Sequence, residues 1–189
     1  MVANITYGDG IPGDLELRLC GDTGDGHRAV ELGVSPWFNA VEFAKEGGKA
    51  IAVDPSADRI AELRRRAENA EVVVQCMNSE LADLGDITSA TCDVVVAAHT
   101  LSDVDDLGRL LRQVHRILRP SMVFVISVPH PYAAVGEGHP YGTSGRTVGD
   151  WFTALSRANF RVDQLRELGA DPTHSAPTTL VLRARKDGI

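Results

Sequence analysis

The chain has 189 residues, a formal net charge of -7, 43% hydrophobic and 24% charged residues. That length suits one domain with a sizeable core, and that composition excludes disordered and fibrous classes. The acidic balance argues against a protein that grips nucleic acid, which needs a basic face, and Arg64-Arg65-Arg66 beside Glu62 and Glu68 reads as a solvated helix face. No apolar run reaches the roughly 20 residues of a bilayer span, and the N-terminus lacks a basic stretch followed by an apolar signal core. A cytoplasmic protein with no membrane partner is therefore expected. Cys20, Cys76 and Cys92 are too scattered for a disulfide framework or a zinc pair, and read as buried free thiols.

In chain order, residues 1–28 read as an N-terminal arm or cap, and the main domain spans 29–189. From Ala29 onward, β-branched runs alternate with helical patterns, the mark of βαβ units and a parallel sheet covered on both faces. Strands are expected at Ala29–Leu32, Ala50–Val53, Glu71–Cys76, Asp93–Ala98 and Val123–Val128. Helices are expected at Phe38–Glu46, with Ser35 a good N-cap and Pro36 suited to a first turn, at Ala57–Asn69, and at Leu107–Leu118, stopped by Pro120.

After the fifth strand the pattern breaks at Pro129-His130-Pro131, and a Gly- and Pro-rich segment runs to about Gly149. A loop this long is usually functional or mobile, and 131–149 reads as a mobile lid. A helix at Val148–Ala158 follows, then strands at Phe160–Leu168 and Thr178–Ala184. The connection between those strands, Gly169–Pro177, is too short for a crossover helix, so they should pair antiparallel.

In an open α/β sheet, ligands bind beyond the carboxyl ends of the strands. The first strand ends in Glu31-Leu32-Gly33. Asp54-Pro55 arrives about 20 residues after the glycine turn, where dinucleotide folds place a carboxylate that accepts from a ribose diol. The third strand is followed by Ser79-Glu80-Leu81, where an acid beside an apolar side chain suits an adenine, and where Glu80 serves equally as a cap on a helix begun by Ser79. The fourth strand ends Ala98-His99-Thr100-Leu101, and the fifth ends in Pro129-His130-Pro131.

From Ala29 to Lys186 the chain resembles the class I S-adenosylmethionine-dependent methyltransferases, especially small bacterial members. "AVDPS" at 52–56 resembles the family's ribose-acid motif, "NSELADL" at 78–84 its adenine motif, and "RQVHRILRP" at 112–120 the helix and turn before its fifth strand. The resemblance implies an α/β, Rossmann-like, doubly wound seven-stranded sheet, mostly parallel with a C-terminal antiparallel pair. It also implies S-adenosylmethionine as cofactor, S-adenosylhomocysteine as product, and Glu31, Gly33, Ser35, Asp54, Pro55, Glu80, Leu81, Ala98 and His99 as cofactor-binding residues. Ser35 and Trp37 stand where the family usually has glycines.

On that reading a small-molecule acceptor is methylated, with His99 and His130 the candidate bases. Tyr132, Tyr141 and Arg146 would serve as lid and substrate residues, and Tyr7–Leu19 as the opposite wall. Either the acceptor is small, or a homodimer partner finishes the pocket. Two alternatives stand beside it: a catalytically inactive methyltransferase-like binding protein using the Trp37 surface, and a nicotinamide-dependent oxidoreductase, weakened by the absence of G-x-G-x-x-G. His115 lies within the apolar helix and reads as structural, His27, His139 and His174 lie in loops and lack metal-ligand spacing, and no metal is expected.

Overall fold

Strands with an apolar residue at almost every position stand only where both sheet faces are covered, and β4 (Cys92–Ala98) is buried at every position. The computed structural model describes residues 2–136, 138–143, 145–170 and 176–188. The remaining strands are β1 (Arg28–Leu32), β2 (Lys49–Asp54), β3 (Val74–Asn78), β5 (Leu118–Pro129), β6 (Phe160–Leu168) and β7 (Thr179–Lys186). They form one seven-stranded sheet in the order β3-β2-β1-β4-β5-β7-β6. The first five are parallel, and β7 lies antiparallel between β5 and β6. This antiparallel insertion separates the sheet from the 3-2-1-4-5-6 order of dinucleotide-binding folds.

The helices are α1 (Asp14–Leu17), α2 (Asn39–Lys45), α3 (Ala57–Asn69), α4 (Leu107–Ile117), α5 (Ala133–Gly136) and α6 (Val148–Arg157). On one face, α4 buries Leu107, Leu110, Leu111, Val114 and Ile117 beside Trp151 and Leu155 of α6. On the other, Phe43 of α2, Ile60 and Leu63 of α3 and the N-terminal residues Ala3, Ile5 and Tyr7 form a second cluster. Among the described residues no helix is long and apolar enough to cross a membrane.

Local expectations differ from the structure in four places. The first turn of α2 is not capped by Ser35: its N-cap is Phe38, at φ 53 and without a side-chain cap bond. Glu31 of β1 supplies the missing acceptor from across the loop. β3 begins at Val74 instead of Glu71, because Ala70–Val72 finish α3, with the Val72 N–H donating to the Ala67 carbonyl and Glu71 at φ 55. β5 starts at Leu118, pairs with Cys92, and passes Pro120 through a register shift. No helix starts at Ser79, whose hydroxyl donates to the Glu80 and Asp83 carbonyls and closes turns instead.

The N-terminal residues are tied down by buried polar groups. Fully buried Asp14 accepts from the Tyr7 hydroxyl at 2.7 Å and the Leu19 N–H at 2.6 Å, and also from the Cys20 N–H. Asn39 pairs with Thr6 in both directions, accepting from its N–H at 2.9 Å and donating to its carbonyl at 3.0 Å. Replacing Asp14 with Ala leaves the buried Leu19 and Cys20 N–H groups unsatisfied and the Tyr7 hydroxyl with only Cys20 Sγ, so urea unfolding of Asp14→Ala should show a loss of about 3 kcal/mol. A loss below about 1 kcal/mol would mean the network carries little of the stability.

Candidate active site at the carboxyl ends of the sheet

The chain leaves β1 for β2 and β3 on one side and returns through β4 and β5 on the other, so a crevice opens beyond the carboxyl ends of β1 and β4. Gly33 makes the first turn there at φ +78, a backbone state that glycine adopts without penalty. A side chain is also excluded by contact, since a Cβ on Gly33 would stand 2.4 Å from the Thr100 Cβ. The Thr100 hydroxyl donates to the Leu32 carbonyl at 2.6 Å, pinning the β4 exit against the β1 exit.

Glu31 lies beneath this turn with no exposed surface. Its Oε1 accepts from the Ser35 N–H, the Ser35 hydroxyl and the Asn39 N–H, and its Oε2 from the Ala40 N–H at 2.8 Å. Burial pushes its carboxyl group up from the ordinary range, and these hydrogen bonds oppose the shift. Glu31 and Ser35 are thus turned toward each other.

Asp54, 4% exposed, ends β2. Its Oδ2 accepts from the Val34 N–H and its Oδ1 from the Ser56 N–H, both at 2.7 Å. Each oxygen keeps a lone pair for one further donor. Asp54 lines a cavity of about 330 Å³ with Gly33, Pro55, Leu81, His99 and Asp103. A carboxylate beside a proline and a leucine fits a ribose diol and a flat base, so the residues present fit an adenosyl group. Five sequence candidates meet here: Gly33, Asp54, Pro55, Leu81 and His99. Ala98 is buried in the strand below, and Glu80 is exposed outside the lining.

His99 takes φ 57 and turns its ring under the N-terminal segment. The Trp37 ring meets it edge-on at 5.6 Å between centroids, and Trp37 Nε1 donates to Asp9 Oδ1 at 3.0 Å. The Nε2 atom of His99 is buried without a hydrogen-bond partner, as is the Ser127 hydroxyl on the neighbouring strand end. Burial pushes the His99 pKa below the ordinary imidazole range, against the Tyr7 backbone and the Asp9 charge, and so favours the neutral ring.

His130 is used differently. Its Nε2 meets Glu167 at 2.9 Å and its Nδ1 accepts from the Tyr132 N–H, so both nitrogens are engaged. Arg146 donates to the carbonyls of Leu101, Ser102 and Val104 and faces the Trp151 ring, tying the segment before α6 to the β4 exit. Tyr132 and Tyr141 are about half exposed, and the Tyr141 hydroxyl accepts from the Val148 N–H. Of the expected lid, residues 137 and 144 lie outside the described residues, as does His174. Among the described residues no cluster of three metal-ligating side chains occurs.

No local pattern singles out Thr100, whose role follows from a contact across two strands, or Arg59, which donates to the Val34 carbonyl at 2.9 Å. Asp9 and Gly8 come to the site only because the N-terminal segment folds over it.

Residues 30–126 match the family model of the methyltransferase domain. The chain is 27% identical over 104 residues to a ubiquinone biosynthesis O-methyltransferase of Rhodopseudomonas palustris (strain BisB18), covering 54% of this chain and 39% of that protein. The chain thus spans about two fifths of the length of that relative. Among solved structures it resembles an S-adenosylmethionine dependent methyltransferase from Mesorhizobium loti, with a TM-score of 0.70 at 24% identity over 89% of this chain and 95% of that one. It also resembles 1,6-didemethyltoxoflavin-N1-methyltransferase of Burkholderia thailandensis, with a TM-score of 0.67 at 21% identity over 91% and 76% of the two chains.

Gly33→Ala combines a positive φ with a collision, so urea unfolding should show a loss of about 2 kcal/mol. In a Thr100→Gly background the same change should cost clearly less, because the colliding side chain is gone. Equal costs in both backgrounds would show that the contact does not shape the turn.

Proposed function

The chain belongs to the methyltransferase-domain family, and from that premise we propose that it transfers a methyl group from S-adenosylmethionine to an O–H or N–H group of a small-molecule acceptor. The observation that carries this reading is one cavity that joins Asp54, with lone pairs to spare, to His99, a neutral base with an unpartnered nitrogen. The O-methyltransferase and N-methyltransferase relatives support an acceptor nucleophile that loses a proton.

When bound, S-adenosylmethionine supplies a sulfonium methyl group. Asp54 would accept from the ribose hydroxyls, Pro55 and Leu81 would hold the adenine, and Gly33 would let the backbone pass close beside it. Glu31 and Ser35 act at one remove, fixing the loop that ends at α2. His99 Nε2 would take the proton from the acceptor's O–H or N–H, which needs the neutral ring that burial favours. His130, bonded at both nitrogens, holds the start of the 131–149 segment.

Isothermal titration should show micromolar binding of S-adenosylhomocysteine to the unaltered protein and a loss of about tenfold to a hundredfold in Asp54→Ala, with charge-assisted hydrogen bonds removed. Absence of binding by the unaltered protein would overturn the reading. A pH dependence follows from His99. The neutral ring accepts the proton and the cation cannot, so kcat/KM falls as pH drops through the lowered His99 pKa. Turnover of an O–H acceptor should therefore be level from pH 7 to 8, with an acid limb that disappears in His99→Gln along with most of the rate. An acid limb unchanged in that variant would remove His99 from the reaction.

A further inference from the structure

The N-terminal segment lies directly on the unpartnered nitrogen of His99. A Cβ placed on Gly8 would stand 3.2 Å from His99 Nε2, 3.1 Å from the Thr179 hydroxyl and 3.1 Å from Ile11 Cδ1. Glycine at position 8 therefore allows the segment to close on His99, and as closed it leaves no room for an acceptor at Nε2. The segment is fixed on both sides of this point by buried groups: Thr6 by Asn39, and Tyr7 with Leu19 by Asp14. Between those anchors, Asp9 and Gly10 are exposed, and Gly10 adopts φ +68. The side-chain hydrogen bond described for this tip runs from Trp37 Nε1 to Asp9 Oδ1, at an exposed position.

We propose that Trp37 and Asp9 form a latch on the acceptor entrance: Trp37 braces the His99 ring edge-on, its bond to Asp9 holds the tip Gly8-Asp9-Gly10 over Nε2, and opening that bond admits the acceptor. The molecule admitted is the one whose O–H or N–H gives its proton to His99 Nε2. The charged groups around the ring are Asp9 on the tip and Asp54, Arg59 and Asp103 around the cavity. This inference rests on the reading of His99 as the acceptor-facing base. Trp37 is then a positioning residue, and its place in the loop where the family usually has glycine has a function at the acceptor side of the crevice.

Access to Nε2 can be measured without knowing the acceptor. Diethyl pyrocarbonate at pH 7.5 gives a doubly carbethoxylated, ring-opened histidine only when both ring nitrogens are reached, and peptide mass mapping locates it. In the unaltered protein this product should form at His99 far more slowly than at exposed His139. Asp9→Ala and Trp37→Phe, which each remove one end of the bond, should speed it at His99 by about fivefold to tenfold, the net value of one ordinary hydrogen bond. Asp9→Asn, which keeps an acceptor oxygen while losing the charge, should react like the unaltered protein. Rates at His99 equal in all four proteins would overturn the latch. So would a rise shared by buried His130, since that reports general loosening. Failure of S-adenosylhomocysteine to bind would overturn the proposed function and leave these relative rates as they are, so the two failures are distinguishable.

Discussion

The crevice depends on one buried carboxylate. Glu31 stands at the end of β1 with no exposed surface and gathers donors from Ser35, Asn39 and Ala40. A carboxylate taken from water is costly unless its oxygens are filled, and the loop after Gly33 fills them. That single requirement bends residues 34–39 back over the strand end and supplies the acceptor that the first turn of α2 lacks in its own sequence. The loop is thus organised around an acid inside the fold.

Where glycines give way to Ser35 and Trp37, the backbone does not need their freedom. The left-handed conformations are taken by Gly33, and by Phe38, whose ring is covered by the Arg66 guanidinium at 4.1 Å. Such a conformation at a non-glycine residue persists when its surroundings over-determine it. Trp37 is turned toward Asp9 and His99. Asp54 meanwhile shares its oxygens with the Val34 and Ser56 N–H groups and keeps capacity for a diol. Ser35 and Trp37 stand in the loop without positive φ, and Asp54, Pro55, Leu81 and the Gly33 turn line one cavity.

The parallel core was legible because strands covered on both faces read as apolar runs, and α4 because Leu107, Leu110, Leu111, Val114 and Ile117 recur at helical spacing. Asp54 was legible from its distance to Gly33. What escaped were contacts between segments remote in sequence. The capping of α2 by Glu31, the seat of Thr100 on Gly33 and the placing of Gly8 over His99 depend on side chains meeting across elements, and no local pattern encodes them. The start of β5 at Leu118 escaped for a related reason, since pairing with Cys92 recruits residues on the near side of Pro120. His99 and His130 look alike in sequence, each at a strand end, and only the structure separates a ring with an unpartnered nitrogen from one bonded at both.

The central claim is that the rewritten loop still frames an adenosyl site whose reactive end faces His99. A crystal structure of the protein soaked with S-adenosylhomocysteine tests it most directly. The account predicts ribose hydroxyls on the Asp54 carboxylate, adenine between Pro55 and Leu81, and the thioether sulfur directed toward the His99 side of the cavity. Ligand density at another face, or none at Asp54 at millimolar soaking concentration, would contradict it.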